Sequence, residues 1–394
     1  MTGVSRHYVL AAGGTGGHLL PAFALAQELE RRGHHVALIT DERGSRIPGK
    51  PGALTAHVLP AGRLGTGLLK GGPMVWLRAV RAIMQGRRMA LRLFESFEPS
   101  AVVGFGGYPA LPALLAARSA GIATVIHEQN AVLGRVNRFL AKRVDAIATA
   151  YGQVERLDPS LSGKVHLVGN PVRPEVLALR GEPFPDFTED GLFRVLVTGG
   201  SQGASVLSQV VPDGLAMLPP NLRHRLQVTQ QCRAADIDTV RARYAGHAIP
   251  AELGTYFEDM AEKLADTHLF IGRAGASTIA ELTAVGRPAI LVPLPIATDD
   301  HQAANTREMV AAGGARAIRQ DRFTAKELAK QIQSIALRPD TLANAAHAAW
   351  NCGLPDAVRD LADLVESFGG APLMDVIRVS EPEQAAPSGQ EVLA

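Results

Sequence analysis

The sequence predicts an α/β protein with two doubly wound, Rossmann-like domains that face each other across a cleft. Short apolar segments alternate with helical patterns along most of the chain, which is typical of parallel sheets covered by helices on both faces. A length of 394 residues is comfortable for two domains. A glycine loop follows the first strand pattern of each half, in "VLAAGGTGGH" (9–18) and in "VLVTGGSQGAS" (195–205), which indicates that the same unit occurs twice.

The first domain is predicted to cover residues 1–172. It opens with the strand and loop of "HYVLAAGGTGG", followed by the helical pattern "AFALAQELERRG". A second helical pattern, "ALLAARSAG", follows the glycine loop in "AVVGFGGYP". The other strand patterns are short and apolar, and they are "HHVALIT", "ATVIHEQN", "AIATA" and "VHLVGNPV".

The second domain is predicted to cover residues 192–345, after a linker at 173–191 that is rich in proline, glycine and charge. Its strand patterns include "FRVLVTGGSQGAS", "HRLQVTQQ", "THLFIGRAGAS" and "PAILVPLP". We expect residues 346–368 to form a C-terminal helix that packs back on the first domain, and residues 369–394 to be a disordered tail. Ligands of open α/β sheets bind at the carboxyl ends of the strands, so the function is expected in the cleft.

The composition is that of a globular protein, 46% hydrophobic and 20% charged. Cys232 and Cys352 form no C-x-x-C pair, so neither a disulfide framework nor a zinc site is indicated. The N-terminus lacks a signal-peptide pattern, and no apolar run approaches the roughly 18–20 residues that a spanning helix needs. We therefore expect a cytoplasmic location and no transmembrane segment.

The net charge of +2 hides an asymmetry between the two halves of the chain. Residues 1–172 hold 20 Lys and Arg against 10 Asp and Glu, whereas residues 173–394 hold 20 against 28. Residues 43–94 contain ten basic residues and no acidic one, which suits an anionic membrane surface or another polyanion. No nucleic acid partner is expected, because only Trp76 and Phe94 are at hand for base stacking.

The segment 62–94 has the spacing of an amphipathic helix in its second part. Val80, Ile83 and Leu91 are predicted to be buried against the sheet. The apolar loop before them and the unbroken positive charge favour contact with anionic lipid, as an interfacial element rather than a span. The residues predicted to contact the membrane are Leu68, Leu69, Lys70, Met74, Val75, Trp76, Arg78 and Arg81.

Four glycine loops follow strand patterns, in "GGTGGH", "GFGGYP", "GGSQGAS" and "GRAGAS". Glycine lets the backbone approach a ligand closely, and the free amides that start the next helix favour an anion such as phosphate. The dinucleotide fingerprint is half met, since Gly14 and Gly16 fit but Leu19 replaces the third glycine, while Asp41 could serve as the ribose-binding acid. A nicotinamide enzyme is therefore kept as an alternative. A P-loop is excluded, because no Lys-Ser/Thr follows the glycines.

The loops of the second half carry side-chain donors that suit a nucleotide sugar. Hydroxyl and amide donors together with Arg173 suit a diphosphate, and Glu281, one turn beyond Ser277 and Thr278, could bind two adjacent sugar hydroxyls. The alternative for Glu281 is an N-terminal helix acid or a capping box with Thr278. The other donors are Ser201, Gln202 and Ser205, and "PLPIATDDHQAANTREM" adds Asp299, Asp300, His301 and Gln302 for sugar hydroxyls.

No metal and no other cofactor is expected. Asp236 and Asp238 match the Asp-x-Asp that holds a divalent ion in some nucleotide-sugar transferases, but they lie in the charged helical pattern "CRAADIDTVRARY", which is typical of solvated surface. Helix-terminal amides and Arg173 can meet the charge of a departing diphosphate instead.

The chain resembles the MurG family of bacterial peptidoglycan N-acetylglucosaminyltransferases, of the two-domain GT-B class, over roughly residues 7–365. The resemblance implies an inverting transferase that moves N-acetylglucosamine from UDP-N-acetylglucosamine to the muramoyl-pentapeptide on undecaprenyl diphosphate. It also implies a peripheral protein at the cytoplasmic face of the bacterial inner membrane, with cell-wall synthesis and division proteins as partners. The motifs that carry it are "GGTGGHLLPAFALAQEL", "GFGGYPALPALLAA", "HEQNAVLGRVNRFLAKRVD", "GNPVR", "VTGGSQGA", "GRAGASTIAEL" and "DDHQAANT".

The resemblance also assigns residues to the two substrates. Arg173 and the turn at 201–203 would hold the donor diphosphate, Glu281 the ribose, and the backbone near Phe257 and Ile279 the uracil edge. The full donor set is Thr15, Gly16, Gly17, Asn130, Arg173, Ser201, Gln202, Gly203, Phe257, Ala276, Ser277, Thr278, Ile279, Glu281, Asp300 and Gln302. The acceptor set is Gly13, Gly14, Gly106, Gly107, Tyr108, His127 and Glu128. The segment from Ile296 to Asp299 is longer than the family pattern, and no role is assigned to it.

The sequence leaves the catalytic base open. An inverting displacement needs one group to take the proton of the acceptor hydroxyl, and a histidine can do so near neutral pH. His18 is the first candidate because a glycine loop delivers it to the cleft; the alternative is that it packs under the loop or only binds the acceptor diphosphate. Glu128 is the competing candidate, and His127 either competes as well or only orients its loop.

Two other classes of protein also stay open at this point. One is a nucleotide-sugar epimerase, and the other is a nucleotide-sugar-binding or regulatory protein on the same fold. Transfer of a labelled sugar to a lipid-diphosphate analogue separates a transferase from both of them.

Overall fold

The computed structural model describes residues 5–47, 49–59, 73–200, 203–295 and 297–368. These residues form two parallel sheets, each flanked by helices. The prediction of two doubly wound α/β domains is therefore confirmed. The tail at 369–394, which the sequence predicts to be disordered, lies outside the described residues.

Seven strands form the sheet of the first domain: β1 (His7–Ala12), β2 (His35–Thr40), β3 (Thr55–Val58), β4 (Ala101–Gly106), β5 (Ala123–Glu128), β6 (Ala146–Thr149) and β7 (Val165–Leu167). All their pairings are parallel, and the order across the sheet is β3-β2-β1-β4-β5-β6-β7. The order reverses between β1 and β4. Ligands of such sheets bind where the order reverses, and the loops "GGTGGH" and "GFGGYP" begin at this place.

Six strands form the sheet of the second domain: β8 (Phe193–Thr198), β9 (Leu226–Gln231), β10 (Ala251–Gly254), β11 (Leu269–Gly272), β12 (Ala289–Leu291) and β13 (Ala315–Ala317). They are parallel in the order β10-β9-β8-β11-β12-β13. The order reverses between β8 and β11, which carry the loops "GGSQGAS" and "GRAGAS". The equivalent position of the two pairs of loops agrees with the predicted duplication.

Helices connect these strands and cover both faces of each sheet. The helices of the first domain and the linker are α1 (Gly16–Arg31), α2 (Pro73–Phe97), α3 (Ala110–Ser119), α4 (Arg135–Leu140) and α5 (Pro174–Leu177). Those that follow are α6 (Ser205–Ala216), α7 (Pro220–Arg223), α8 (Ile237–Gly246), α9 (Met260–Ala265), α10 (Ala276–Ala284), α11 (His301–Asn305), α12 (Arg307–Ala311), α13 (Ala325–Ala336), α14 (Pro339–Asn351) and α15 (Ala357–Ser367).

Each central strand serves two hydrophobic cores, one on each face of its sheet. In β1, Tyr8 and Leu10 belong to one buried cluster while Val9 and Ala11 belong to another. Successive side chains of a strand point to opposite faces, so a strand buried on both sides must be apolar throughout. This is why the strand patterns in the sequence are continuous rather than alternating.

The C-terminal segment differs from its prediction as a single helix over 346–368. Helix α14 ends at Asn351 and α15 begins at Ala357, because the chain passes too close to its neighbours to stay helical between them. A Cβ on Gly353 would lie 2.6 Å from the carbonyl oxygen of Thr283, and Pro355 follows.

Helix α15 packs in the core of the first domain against α1. Leu361, Leu364 and Val365 belong to its buried cluster. Arg32 at the end of α1 donates to Asp363 at 2.5 Å and to Glu366 at 2.6 Å. The C-terminus of the chain is thus tied to the first domain by both apolar and charged contacts.

The predicted linker, residues 173–191, is packed rather than free over its first part. Val176 in α5 is fully buried, and together with Val172 it belongs to a core cluster of the second domain. The chain therefore joins the second domain before residue 192, where the sequence pattern alone places the boundary.

Candidate active site

The two glycine loops of the first domain touch each other at the carboxyl ends of β1 and β4. A Cβ on Gly107 would lie 2.8 Å from the carbonyl oxygen of Gly13, and a Cβ on Gly13 would lie 2.4 Å from Cδ of Pro109. Both distances are too short for real Cβ atoms, so the contact requires glycine in both loops. Gly14 and Gly106 also have positive φ angles, of 80° and 95°, which favour glycine.

Asp41, at the end of β2, holds the first glycine loop in place. Its Oδ1 accepts hydrogen bonds from Gly14 N at 3.2 Å and from Gly44 N at 2.7 Å, and the side chain is buried. In a dinucleotide-binding domain the corresponding acid binds the ribose. Asp41 is already used by the loop, so this observation counts against the nicotinamide alternative.

Helix α1 begins directly after the first loop and points its N-terminus at the cleft. Thr15 is its N-cap, and Thr15 and Gly17 are exposed. The amides of Gly16 and Gly17 belong to the first turn, where N–H groups have no partner within the helix. Together with the helix dipole, these amides can receive a phosphate group.

His18 lies in the first turns of α1, and its ring packs over Gly106. Its Nδ1 is 2.9 Å from Oε1 of Gln129, and a Cβ on Gly106 would lie 3.1 Å from its Cε1. Among the hydrogen bonds of the described residues, none involves Nε2 of His18. The imidazole is therefore held through one nitrogen while the other is available to a substrate, as a general base requires.

His127 lies on β5 beneath these loops and is fully buried. Its Nε2 is 2.9 Å from the carbonyl oxygen of Gly169, and its Nδ1 is 2.9 Å from Nε2 of Gln129. Burial lowers the pKa of His127 to about 4, so the ring is neutral at pH 7. Both ring nitrogens have partners within the protein, which favours the alternative that His127 orients its loop. Its assignment to the acceptor stays a prediction.

Glu128 is 2% exposed, and its carboxylate accepts four hydrogen bonds from its own loop and from α4. The donors are Asn130 N and Nδ2 at 3.0 and 3.2 Å, Gly134 N at 2.8 Å and Asn137 Nδ2 at 2.9 Å. A carboxylate with this set of partners fixes the turn after β5. These contacts favour a structural role for Glu128, and its assignment as competing base and acceptor ligand stays a prediction.

The second domain presents the N-terminus of α10 to the same cleft. Gly275 is the N-cap, so Ala276, Ser277 and Thr278 form the first turn, and the alternative of a capping box on Thr278 is wrong. Ser277 Oγ is buried and has no hydrogen-bond partner among the described residues. Buried polar groups without a partner are rare in folded proteins. A phosphate bound at this helix terminus would accept from both the hydroxyl and the amides.

Arg173 and Glu281 form a bidentate ion pair beside α10. Arg173 Nε is 2.7 Å from Glu281 Oε1, and Nη2 is 3.2 Å from Oε2. The sequence predicts separate partners for them, a diphosphate and a ribose, and the structure brings the two side chains together. A guanidinium has five donors and a carboxylate about four acceptor sites, so each can bind a ligand while the pair persists.

Phe257 and Ile279 are both buried, so their side chains do not line an open site. The Phe257 ring packs on Gly254, where a Cβ would lie 2.9 Å from its Cε1, and Lys263 Nζ lies 5.1 Å from the ring centroid. The backbone of Ile279 is engaged within α10, since its N–H donates to Gly275 O at 3.0 Å and its carbonyl oxygen accepts from Thr283 Oγ1 at 3.0 Å. The contact of these residues with the uracil edge stays a prediction.

The segment before α11 adopts an unusual backbone. Asp299 and Asp300 both have positive φ, of 59° and 55°, and Gln302 Oε1 accepts from Leu294 N at 3.0 Å. Asp300 is exposed, whereas Asp299 pairs with the first domain, with Arg156 at 2.6 Å and more loosely with Arg138 at 3.7 Å. The residue pattern offers Asp299 for sugar hydroxyls, but the structure places its carboxylate at the contact between the domains.

Asn305 in α11 joins the two domains and was missed by sequence reasoning. It is fully buried; its Oδ1 accepts from Ala131 N at 2.8 Å, and its Nδ2 donates to Asn130 Oδ1 at 3.1 Å and to Ala274 O at 3.2 Å. Asn130, which the resemblance assigns to the donor sugar, is therefore engaged in the domain contact. The only sign of this contact in the sequence is the asparagine of "DHQAANT". Its partners Asn130 and Ala131 lie about 175 residues earlier in the chain.

A small cavity of about 50 Å³ lies between the domains, beside Tyr151, Asn170 and Glu308. Substrate sites for small molecules occupy about 300–1,000 Å³. This cavity is therefore too small to hold a nucleotide sugar.

Helix α2 presents an apolar face away from the sheet. Met74, Leu77 and Val80 are 62, 65 and 46% exposed. Ile83 and Leu91 pack against the core as predicted, but the predicted burial of Val80 is wrong, because α2 packs on α3 with its other side. An exposed apolar stripe of this kind marks an interaction surface.

The exposed side chains Val75, Arg78 and Arg81 lie on the same part of α2. Leu68, Leu69 and Lys70 lie outside the described residues, as does the side chain of Trp76. No helix within the described ranges is both long and apolar enough to cross a bilayer.

The glycine loops of the two domains are related through the helices that follow them. Helices α1 and α10, which begin at the glycine loops of the two domains, contact each other. Gly203 has a positive φ of 65° and closes a turn on Gly200 at 2.9 Å, while Ser201 and Gln202 lie outside the described residues. Tyr108 carries a buried hydroxyl with no hydrogen-bond partner among the described residues. No cluster of three metal-ligating side chains occurs in the described part of the chain.

Comparison with family models gives two matches. Residues 8–149 match the glycosyltransferase family 28 N-terminal domain, and residues 194–365 match the glycosyltransferase family 28 C-terminal domain. The two matches follow the two sheets of the structure.

Comparison with individual proteins gives close relatives. A protein of Novosphingobium aromaticivorans, named UDP-N-acetylglucosamine–N-acetylmuramyl-(pentapeptide) pyrophosphoryl-undecaprenol N-acetylglucosamine transferase, is 80% identical over 394 residues, which is 100% of both chains. A protein of the same name from Erythrobacter litoralis is 76% identical and covers 96% of this chain and 94% of its own. The crystal structure of Acinetobacter baumannii MurG is 28% identical, with a TM-score of 0.74 over 92% of this chain and 99% of that chain.

Proposed function

The chain belongs to glycosyltransferase family 28 and is an N-acetylglucosamine transferase of the GT-B fold, and we propose how its cleft performs the reaction. The reaction transfers N-acetylglucosamine from UDP-N-acetylglucosamine to muramyl-(pentapeptide) pyrophosphoryl-undecaprenol, with inversion at the anomeric carbon. The nucleotide-sugar epimerase and the simple binding protein are not favoured.

One observation supports this proposal: α1 and α10, which each begin at a glycine loop, contact each other, and His18 at the start of α1 has Nε2 outside the hydrogen bonds of the described residues. His18 and α1 come from the first domain, and Ser277 and α10 from the second. A transfer between two diphosphate-linked substrates needs two anion sites with a proton acceptor between them. The contact between α1 and α10 supports that arrangement.

On the donor side, the amides of α10 and Ser277 Oγ bind the diphosphate of UDP. Arg173 adds a positive charge, and Glu281, held by Arg173, accepts hydrogen bonds from the ribose hydroxyls. Asp300 and Gln302, at the start of α11, contact the transferred sugar. The negative charge that develops on the departing diphosphate is stabilised by groups already in place.

On the acceptor side, the amides of Gly16 and Gly17 and the backbone at Gly13 and Gly14 bind the diphosphate of the lipid. Tyr108, whose buried hydroxyl lacks a partner among the described residues, donates to the same group. The acceptor hydroxyl then lies near the imidazole of His18.

The chemical step is a single displacement. Nε2 of His18 takes the proton of the acceptor hydroxyl while its oxygen attacks the anomeric carbon of N-acetylglucosamine. The bond from that carbon to the diphosphate oxygen breaks on the opposite face, and UDP leaves with the electron pair. Attack opposite to the leaving group inverts the anomeric centre.

The assay that tests this function measures transfer of labelled N-acetylglucosamine from its UDP derivative to a lipid-diphosphate muramyl-pentapeptide analogue. The expected product is the disaccharide lipid, and its formation requires both substrates. An epimerase would interconvert UDP-sugars without any acceptor, and a binding protein would retain UDP without turnover. Either result would overturn the proposal.

Replacing Glu281 by Gln should raise the KM for UDP-N-acetylglucosamine about tenfold with little change in kcat. The variant loses charge-assisted hydrogen bonds to Arg173 and to the ribose, worth about 1.5 kcal/mol together, which corresponds to about a factor of ten in binding. Initial rates at varied concentrations of UDP-N-acetylglucosamine measure this KM. The control is Glu252→Gln, an exposed glutamate paired with Lys263; an unchanged KM for Glu281→Gln would remove the residue from the donor site.

We further propose that the exposed face of α2 holds the enzyme on an anionic membrane surface, close to its lipid-linked acceptor. Met74, Val75 and Leu77 would insert among the lipid head groups, with Arg78 and Arg81 beside them. Apolar burial and attraction to anionic lipid act together in such interfacial elements. Cell-wall synthesis and division proteins would meet the enzyme at this surface.

Reversing the charge of Arg78 and Arg81 to Glu should reduce binding to vesicles that contain phosphatidylglycerol at least about tenfold, because each basic residue near such a surface contributes about 1 kcal/mol. Flotation through a density gradient measures the bound fraction. The matched control is Arg322→Glu, an exposed arginine of the second domain, which should float like the wild type. Flotation that ignores the reversal on α2 would contradict the membrane role of this helix.

A further inference from the structure

A chain of hydrogen bonds runs from His18 through Gln129 and His127 to the backbone of Gly169. The distances are 2.9 Å from His18 Nδ1 to Gln129 Oε1, 2.9 Å from Gln129 Nε2 to His127 Nδ1, and 2.9 Å from His127 Nε2 to the carbonyl oxygen of Gly169. Gln129 and His127 are buried. Of the residues in this series of hydrogen bonds, the proposed mechanism uses only His18.

The carbonyl oxygen of Gly169, at the end of this series of hydrogen bonds, determines where the protons of the other groups lie. The carbonyl oxygen of Gly169 can only accept, so Nε2 of His127 must carry a proton. Burial lowers the pKa of His127 to about 4, so its ring carries a single proton at pH 7 and its Nδ1 accepts. The group of Gln129 that faces His127 is then the NH₂ group.

The orientation of Gln129 sets the state of His18. Its Nε2 donates to His127 Nδ1 and also lies 3.0 Å from the carbonyl oxygen of His127, so two acceptors hold the amide in one orientation. Its Oε1 therefore faces His18, and Nδ1 of His18 must donate to it. In the neutral ring the proton then resides on Nδ1, and the lone pair of Nε2 is left for the acceptor substrate.

The terminal carbonyl is itself fixed by packing. Gly169 has a positive φ of 89°, and a Cβ there would lie 2.8 Å from Leu354 Cβ and 2.9 Å from Ala357 Cβ. It lies just before the chain enters the second domain, under the segment that leads into α15. The start of the linker and the C-terminal segment thus hold the oxygen on which the chain of hydrogen bonds ends.

We propose that Gln129 and His127 are positioning residues that hold His18 in the tautomer with its proton on Nδ1, so that Nε2 is the atom that accepts the proton of the substrate. This inference rests on the proposed role of His18 as the base. Neither Gln129 nor His127 contacts a substrate. A fully satisfied buried network of this kind can specify a unique proton arrangement.

The test reads the tautomer directly. Two-bond ¹H–¹⁵N correlation spectra of the full chain, labelled with ¹⁵N-histidine, distinguish the protonated from the unprotonated ring nitrogen, and the signal that disappears in His18→Gln identifies His18. The wild type should show Nδ1 of His18 protonated. Gln129→Met, which keeps the length of the side chain and removes its hydrogen bonds, should shift His18 toward the tautomer with the proton on Nε2.

Kinetics complete the test. Gln129→Met should lower kcat about 10–100-fold while the KM for UDP-N-acetylglucosamine stays within about twofold, because orientation of the base and not donor binding is lost. Gln153→Met, an exposed glutamine of the same domain, is the matched control and should behave like the wild type.

The outcomes separate this inference from the proposed function. A wild-type His18 with its proton on Nε2, or a tautomer unchanged in Gln129→Met, overturns the role of Gln129 and His127 whatever the activity. If the spectra behave as expected but His18→Gln keeps the wild-type kcat, the tautomer assignment stands and the base assignment falls. The wild-type spectrum, assigned through His18→Gln, provides a test even if Gln129→Met fails to fold.

Discussion

Replacing His18 by Ala should lower kcat for sugar transfer by about 10²–10⁴-fold, the contribution that a positioned general base usually makes. Binding of UDP should change by less than about twofold, because the donor diphosphate is held by α10 and Arg173 in the other domain. The measurement combines steady-state transfer rates with displacement of a fluorescent UDP analogue. The loss should therefore fall on turnover and not on donor affinity.

His224→Ala is the matched control for this variant. His224 is an exposed histidine that follows α7 in the second domain, away from both glycine loops. It should turn over like the wild type. If His18→Ala kept kcat within a few-fold of the wild type, His18 would not be the base, and its contacts with Gln129 and Gly106 would be only structural.

The fold was accessible from the sequence because its determinants are local. The central strands of the two sheets are buried on both faces and therefore read as short, continuous apolar segments, as in β1 and β8. Each ligand loop needs glycine where two backbones approach, as Gly107 does against Gly13. Both requirements act on residues that are neighbours in the chain, so they appear directly in the sequence as apolar segments and glycine loops.

The partners of the site residues were not accessible in the same way. His18 bonds to Gln129, 111 residues further on, and Arg173 pairs with Glu281, 108 residues further on. Residue types alone do not show which side chains meet when they are more than 100 residues apart in the sequence. The four donors that surround the Glu128 carboxylate were hidden for the same reason, because residue types alone do not show them.

Val80 and the break before α15 show a related difficulty. The stripe on α2 has helical spacing, but spacing does not say which side of the helix meets the sheet, and Val80 lies on the exposed side. Helical propensity continues through residues 346–368, yet the close approach of Gly353 to Thr283 ends α14. In both cases tertiary packing decides what the local pattern leaves open.

Replacing Glu128 by Ala should destabilise the first domain rather than abolish the chemistry. The substitution leaves the buried donors of Asn130, Gly134 and Asn137 without their acceptor. Unsatisfied buried donors cost about 1–3 kcal/mol each before relaxation, and a total of about 3 kcal/mol after relaxation is expected for the set. At about 2–4 °C per kcal/mol for a domain of this size, Tm should fall by roughly 6–12 °C.

Thermal unfolding and kinetics together make this variant decisive for the question that the sequence leaves open. Glu42→Ala removes an exposed carboxylate of the same domain and should change stability by less than about 0.5 kcal/mol. Assayed well below its Tm, Glu128→Ala should keep kcat within about tenfold of the wild type, a smaller loss than that of a positioned general base. A loss of kcat as large as that of His18→Ala, with Tm unchanged, would instead return Glu128 to the chemistry. The two measurements separate the roles, because a structural carboxylate acts through the stability of its loop whereas a base acts through the rate of proton transfer.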